Sequence, residues 1–207
     1  MSDPQPAVTP ARYARVLAAL DQRLGSVVAV MEAVRRRHNA SALVRSCEAF
    51  GVHEVHLVTA FFRPSVGAAR GAERWLHTRT FPTIPESIGD LRGRGFRVYV
   101  ADLAEGAHTP ESVPVDQPLA VIFGSEVRGI TAEARALADG AVMIPMRGLT
   151  ESLNVSVSGA LMLRTIADRR RALVGDDLDA AEKARFLDDW LTRETLSKRG
   201  LSARMGL

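Results

Sequence analysis

One cysteine, Cys47, stands in a chain of 207 residues. A disulfide framework needs cysteines in pairs and a cysteine-based zinc site needs several, so neither fits this chain. A reducing compartment suits such a composition. No apolar run approaches the ~20 residues of a membrane span. The opening MSDPQPAVTP lacks the basic and apolar regions of a signal peptide. The expectation is a cytoplasmic protein. Lysine is scarce too: Lys183 and Lys198 are the only two among 27 basic residues. Arginine's planar fork binds two phosphate oxygens at once, but the accompanying Ala, Gly and Val suggest that codon usage in a GC-rich genome sets the ratio. Clustering is then the usable signal, and two clusters occur: Arg35, Arg36 and Arg37, and Arg169, Arg170 and Arg171. With a net charge of +3 and a pI of 9.6, they favour nucleic acid only weakly.

Several catalytic motifs are missing as well. MEAVRRRHNA after the first apolar run contains no glycine, so the G-x-G-x-x-G of dinucleotide folds and of the common methyltransferases is absent. GSEVRGIT has no Gly-Lys-Ser/Thr and is no phosphate-binding P-loop. There is no G-x-S-x-G nucleophile elbow. The histidines His38, His53, His56, His77 and His108 do not pair with carboxylates at metal-ligand spacing on one helix. His53 and His56 read as edge or core positions of a strand.

What is present is an ordinary globular composition, 46% apolar and 25% charged, long enough to bury a core. After a Pro-rich lead (Pro4, Pro6, Pro10), ARYARVLAALDQR carries Val16, Leu17 and Leu20 at helical spacing, with Gly25 as a stop. SVVAVMEAV, VHEVHLVTA, FRVYVADL, PLAVIFG and AVMIPM read as strands. IPESIGDLRGRG and TAEARALAD, the latter capped by Thr131, read as helices between them. HNASALVRSCEAFG reads as a helix with Asn39 at its N-cap and Gly51 at its C′ position. SLNVSVSGALMLRTIADRRRAL and DAAEKARFLDDWLTRETLSKR read as two further helices. Alternating strands and helices predict an α/β fold with a mostly parallel sheet and helices on both faces. Residues 26–172 form the expected central domain, with 1–25 and 173–207 as helical extensions.

Three segments place polar residues and glycines where strands end, the edge at which open α/β sheets bind ligands. They are HNASALVRSCEAFG, VIFGSEVRGIT and IPMRGLTESLNVSVSGALML. In this order and spacing they resemble the three motifs of the SpoU family of RNA 2′-O-ribose methyltransferases, in the knotted SPOUT superfamily. The resemblance covers about residues 26–170. One departure is Ser125, where the family usually has asparagine. Within the family the chain is most similar to the members that methylate guanosine 18 of the tRNA D-loop. The helix before the first strand, GAERWLHTRTF and the basic helical tail point there.

The resemblance implies a deep C-terminal trefoil knot, which ordinary chain connections avoid. It implies S-adenosylmethionine as cofactor, a homodimer with the active site near the subunit interface, and no metal. Arg45 would contact the substrate ribose and phosphate and assist deprotonation of the 2′-hydroxyl. A protonated guanidinium has no acceptor, so both readings stay open: proton removal, or stabilisation of the forming alkoxide. On the helix alone, Arg45 reads as half of an exposed pair with Glu48, worth about 0.2–0.5 kcal/mol. Asn39, Glu126, Ser152 and Asn154 complete the implied catalytic set, with capping as the simpler role for Asn39, Ser152 and Asn154. Ala101, Gly124, Ile144, Met146 and Leu153 are the implied cofactor-binding positions. Arg12, Arg15, Arg23, Arg35, Arg36, Arg37, Lys198 and Arg199 are candidate RNA contacts, as are Arg204 and the second arginine cluster. The alternatives are rRNA or another tRNA position as substrate, or a catalytically silent RNA-binding dimer.

Overall fold

The structure, a computed structural model, describes residues 8–34, 36–58 and 71–198. Pro4, Pro6, Arg35, Arg199 and Arg204 lie outside the described residues, as does the side chain of Lys198. The chain divides into two compact units, with breaks between Arg23 and Leu24 and between Gly175 and Asp176. The described residues 8–23 and 176–198 thus belong to one unit.

Among the described residues, the larger unit, Leu24–Gly175, holds six parallel strands: β1 (Leu24–Glu32), β2 (Val52–Val58), β3 (His77–Phe81), β4 (Arg97–Ala101), β5 (Leu119–Phe123) and β6 (Gly140–Val142). Their order is β3-β2-β1-β5-β4-β6. Every residue of β2 and β5 is buried, as in a parallel sheet covered on both faces. Helices α2 (Arg37–Ala49) and α5 (Val155–Val174) cover one face, packing Leu43, Cys47, Leu163 and Ile166 against Ala29, Met31, Val121 and Phe123. Helices α3 (Ile84–Gly93) and α4 (Ala132–Leu137) cover the other, with Ile88, Leu91 and Ala134 on Val28, Val30, Ala120 and Ile122. Alternate residues of one strand serve opposite layers, the period-2 geometry of a strand. Thr131 caps α4 as its sequence predicts, and its hydroxyl and N–H also donate to Glu32 at the end of β1, at 2.5 and 3.1 Å.

In the smaller unit, helix α1 (Pro10–Leu20) buries Val16 and Leu20, and helix α6 (Ala180–Lys198) buries Phe186 and Trp190. Lys183 Nζ donates to Asp21 Oδ1 at 3.0 Å.

Four local expectations are corrected. Gly25 does not stop α1: the helix ends at Leu20, N–H groups of Gln22 and Arg23 bond back to Ala19 and Leu20, and Gly25 is already in β1. Of AVMIPM (141–146) only Ala141 and Val142 are strand, within β6 (Gly140–Val142), because Asp139 and Ala141 anchor that short stretch to β4 and His108 before the chain turns away. Arg23 is no phosphate contact. It is 2% exposed, with its guanidinium carbon 5.2 Å from the centre of the Trp190 ring. The second arginine cluster is likewise engaged in the fold. Arg169 donates to the carbonyls of Pro110 and Val113, Arg170 to Val115 and Ser26, and Arg171 to Phe50.

Helices α2 and α5 approach each other at Gly159. A Cβ there would stand 2.3 Å from Leu43 Cδ1 and 3.4 Å from Phe123 Cε1. Leu43 is fully buried, so its methyl has little room to yield. Gly159→Ala is expected to cost about 1–3 kcal/mol in overpacking, offset in part by the ~1 kcal/mol helix preference of alanine. Thermal denaturation should show a lower Tm; an unchanged or higher Tm would mean that Leu43 repacks freely.

Candidate active site

The carboxyl ends of β4, β5 and β6, with the starts of α2 and α5, enclose a cavity of about 460 Å³ within the larger unit. That volume falls in the range of small-molecule sites, roughly 300–1,000 Å³. Its wall includes Asn39, Ala101, Gly124, Glu126, Ile144, Met146, Ser152, Leu153 and Asn154. Nine of the ten positions singled out for catalysis or cofactor binding therefore meet in one place. The tenth, Arg45, does not line the cavity. It is exposed on α2, six residues beyond Asn39, which is ~9 Å along a helix axis.

Three side chains from the three motifs are hydrogen-bonded in series. Asn39 Nδ2 donates to Glu126 Oε1 at 2.7 Å, and Asn154 Nδ2 donates to Asn39 Oδ1 at 3.2 Å. Asn154 Oδ1 in turn accepts from the backbone N–H and the hydroxyl of Ser156, at 2.9 and 2.7 Å. Asn154 is thus the N-cap of α5 and a site residue at once. Asn39 is not the N-cap of α2. That position belongs to Arg36, which gives no side-chain cap, and the Asn39 amide is committed instead to Glu126 and Asn154. Ser152 lies exposed two residues before the α5 cap. The second oxygen of Glu126, Oε2, is buried without a hydrogen-bond partner among the described residues. It is an acceptor left over at the cavity wall.

The loop that carries Glu126 is closed tightly. Ser125 and Gly129 exchange backbone hydrogen bonds at 3.1 and 2.9 Å, and Gly129 has φ +64°. A Cβ on Gly124 would fall 2.3 Å from the Gly129 carbonyl, so only glycine fits there. Ser125 Oγ accepts from the Arg128 N–H at 3.0 Å. A side-chain oxygen closing its own turn is what an asparagine could also supply, which accounts for serine at this place.

Arg45 makes no ion pair with Glu48; among the described residues its guanidinium has no hydrogen-bond or charge partner. Arg36 is exposed at the cavity edge, Arg37 and Arg15 are exposed, and Arg12 is half-buried. Two carboxylates of the wall, Asp102 and Glu151, were not anticipated. Asp102 directly follows β4, so the carboxyl-edge rule that marked the other loops applies to it too. It is held by the Nε of Arg135.

A family model described as the SpoU rRNA Methylase family matches residues 26–164. The chain belongs to this family. All three motifs begin within the matched stretch, whereas α1 and α6 lie outside it. The chain is similar to the tRNA (guanosine(18)-2'-O)-methyltransferase of Escherichia coli K12, 38% identical over 81% of this chain and 74% of that protein. The protein of that name from Thermus thermophilus is 38% identical over 89% of this chain and 98% of its own length. Among solved family structures, the A. aeolicus TrmH/SpoU tRNA modifying enzyme superposes with a TM-score of 0.81 at 26% identity, covering 89% of this chain and 96% of that one.

Proposed function

We propose that the protein transfers a methyl group from S-adenosylmethionine to the ribose 2′-oxygen of guanosine 18 in tRNA. The observation that carries the reading is the series Glu126–Asn39–Asn154, one member from each motif, set in the wall of a ligand-sized cavity at the carboxyl edge of a parallel sheet. The named relatives at 38% identity act on tRNA, and they span the chain beyond the family's common domain. The family description names rRNA, which makes an rRNA ribose the second reading.

The cavity suits the cofactor. Ala101, Ile144, Met146 and Leu153 supply apolar wall, Gly124 keeps backbone close to the space, and the unpartnered Glu126 Oε2 offers an acceptor to a cationic ligand. S-adenosylmethionine supplies a methyl activated by a sulfonium and needs no metal. Asn39 and Asn154 hold Glu126 in one orientation, and the capped start of α5 fixes Asn154. Positioning of this kind is worth much in an in-line transfer. Ser152, exposed on the cavity wall, offers a hydroxyl to the incoming strand. The segment from β6 to α5 forms the trefoil knot of the superfamily. In support, the loops after β4, β5 and β6 share one cavity.

Arg45 is outside the cavity wall, so it reaches a ribose only if a second protomer or the RNA spans the gap. A homodimer with the site at its interface does this. Val157 and Leu161, about half exposed and one turn apart on α5, give the apolar surface for such a contact. Arg45 then stabilises the alkoxide forming at the 2′-oxygen or takes part in removing its proton. Arg12, Arg15, Arg36, Arg37 and Lys198, with Arg35 and Arg199, serve RNA phosphates, as suits a folded RNA read by shape and backbone. Residues 26–172 are then the methyltransferase domain and the two ends its RNA-binding extensions, in a cytoplasmic enzyme.

Incubation with methyl-labelled S-adenosylmethionine and an unmodified tRNA transcript, followed by nucleoside mapping, tests the reading. Label is expected on the 2′-oxygen of guanosine 18. Label on a base would end the mechanism, and label in rRNA alone would end the tRNA assignment. A protein that fails to bind S-adenosylmethionine in calorimetry would be the silent RNA-binding dimer.

A further inference from the structure

Most arginine side chains of the larger unit are already engaged. Arg79 and Arg94 bind Asp90 and Glu54, Arg92 binds Asp139, Arg135 binds Asp102, and Arg169, Arg170 and Arg171 bind carbonyls. Among the described residues of that unit, the guanidinium groups of Arg36, Arg45, Arg97, Arg128 and Arg147 have no hydrogen bond, ion pair or ring contact. Their distribution is uneven. Arg36 follows β1, Arg128 follows β5 and Arg147 follows β6, so three unengaged and exposed arginines stand in three loops leaving the same edge of the sheet. Arg36 lines the cavity; Arg128 and Arg147 do not, but each is next in the chain to a residue that does, Gly129 and Met146 respectively. Arg97, by contrast, opens β4 at the opposite edge.

An arginine run in a sequence says little, as the second cluster shows. Free forks contributed singly by three separate loops around one opening are a different matter, because no local composition bias brings them together. We propose that Arg36, Arg128 and Arg147 form a rim that grips backbone phosphates on either side of the nucleotide presented to the cavity. The rim positions the strand; it takes no part in the chemistry. This rests on the reading of the substrate as RNA.

Neutralising a phosphate releases counterions, so each such contact adds about 0.7–0.9 to the slope of log affinity against log salt. Binding of an unmodified tRNA transcript is therefore measured over a series of KCl concentrations for wild type, Arg36→Gln, Arg128→Gln and Arg147→Gln. Each variant is expected to lower the slope by ~0.7–0.9 and to weaken binding about four- to sixfold near physiological salt. Arg128→Lys and Arg147→Lys should keep the wild-type slope, since a point charge still neutralises a phosphate. Arg97→Gln, which removes the same charge at the far edge, should leave it unchanged. Affinity for S-adenosylmethionine should be the same in Arg128→Gln, Arg147→Gln and Arg97→Gln, none of which alters a residue of the cavity lining. Methyl transfer to tRNA by wild type with unaltered slopes in Arg128→Gln and Arg147→Gln overturns the rim and leaves the enzyme reading standing. An equal drop in Arg97→Gln also overturns it, since net charge would then explain the effect. A wild-type protein that binds no tRNA removes both.

Discussion

Replacing Arg45 by alanine should lower kcat for tRNA methylation about 100–1,000-fold, the usual effect of deleting a group that stabilises developing charge. The same variant should keep its Tm and its affinity for S-adenosylmethionine. Both halves follow from the structure: Arg45 is exposed, has no intramolecular partner among the described residues, and does not line the cavity. An exposed side chain with nothing to lose on deletion changes stability by about 0.5 kcal/mol or less. Arg45→Lys should recover part of the rate, keeping the charge while losing the two-pronged geometry. Turnover of Arg45→Ala close to wild type, in single-turnover assays with saturating RNA, would remove Arg45 from the mechanism. A Tm several degrees lower would instead make it a structural residue.

The second large effect lies away from the site. Glu54, 5% exposed on β2, accepts from both arms of Arg94 at 2.6 and 3.0 Å and has His56 Nε2 at 2.6 Å. Arg79 and Asp90 extend the network, and Ser87 Oγ lies 2.8 Å from His56 Nδ1. Glu54, His56 and Asp90 are close enough to hold a metal ion, but two guanidinium forks already occupy the carboxylate oxygens. Burial by itself would raise the Glu54 pKa. Hydrogen bonds from His56, His77 and Arg94, with the charge of Arg94, outweigh it and hold the group far below its ordinary value of 4.5. Glu54→Gln leaves the network short of one negative charge. Removing one partner of a buried pair costs about 3–5 kcal/mol; with Arg94 35% exposed, about 2–3 kcal/mol is the better expectation. A Tm lower by roughly 5–10 °C should result. A carboxyl depressed in the folded state stabilises above its unfolded pKa and loses that contribution as pH falls. The gap between wild type and Glu54→Gln should thus be constant near neutrality and shrink below about pH 4.5. Equal Tm values at pH 7, or a gap that persists undiminished in acid, would show that the network carries no net stability.

Five of the six strands and the helix faces were legible because both depend on local period; β3 (His77–Phe81), a short edge strand of mixed polar residues, was not. The buried runs of β1, β2 and β5, the Thr131 cap and the left-handed Gly51 (φ +76°) all follow from neighbours in the chain. What the sequence could not sort were residues whose surroundings are set by distant segments. Arg36 and Arg170 each sit within a run of three arginines, yet one is exposed at a cavity and the other is 7% exposed against Ser26 and Val115. Successive helix residues point ~100° apart, so one member of such a run is driven toward the sheet, and only packing decides which. Glu54 and His56 share a strand face by period alone. Their partners come from β3 and α3, which no local pattern connects to them. Asn39 was expected to cap its own helix, because its bonds to Glu126 and Asn154 join residues 87 and 115 positions away.

The strand order has a consequence for how the molecule comes into being. β1 lies in the middle of the sheet, but one of its two neighbours is β5, with Val27 opposite Leu119 and Met31 opposite Phe123. A pairing across about ninety residues is a late, entropically expensive event in folding. As the chain leaves the ribosome, β1, β2 and β3 can begin to associate while β5, β6 and α5 are still unmade. Glu126 and Asn154 arrive after that, so nascent protein carries Asn39 long before it has anything to bind. The cavity therefore waits on the end of the domain: until α5 is made, the chain lacks Asn154 and the part of the wall that this helix supplies.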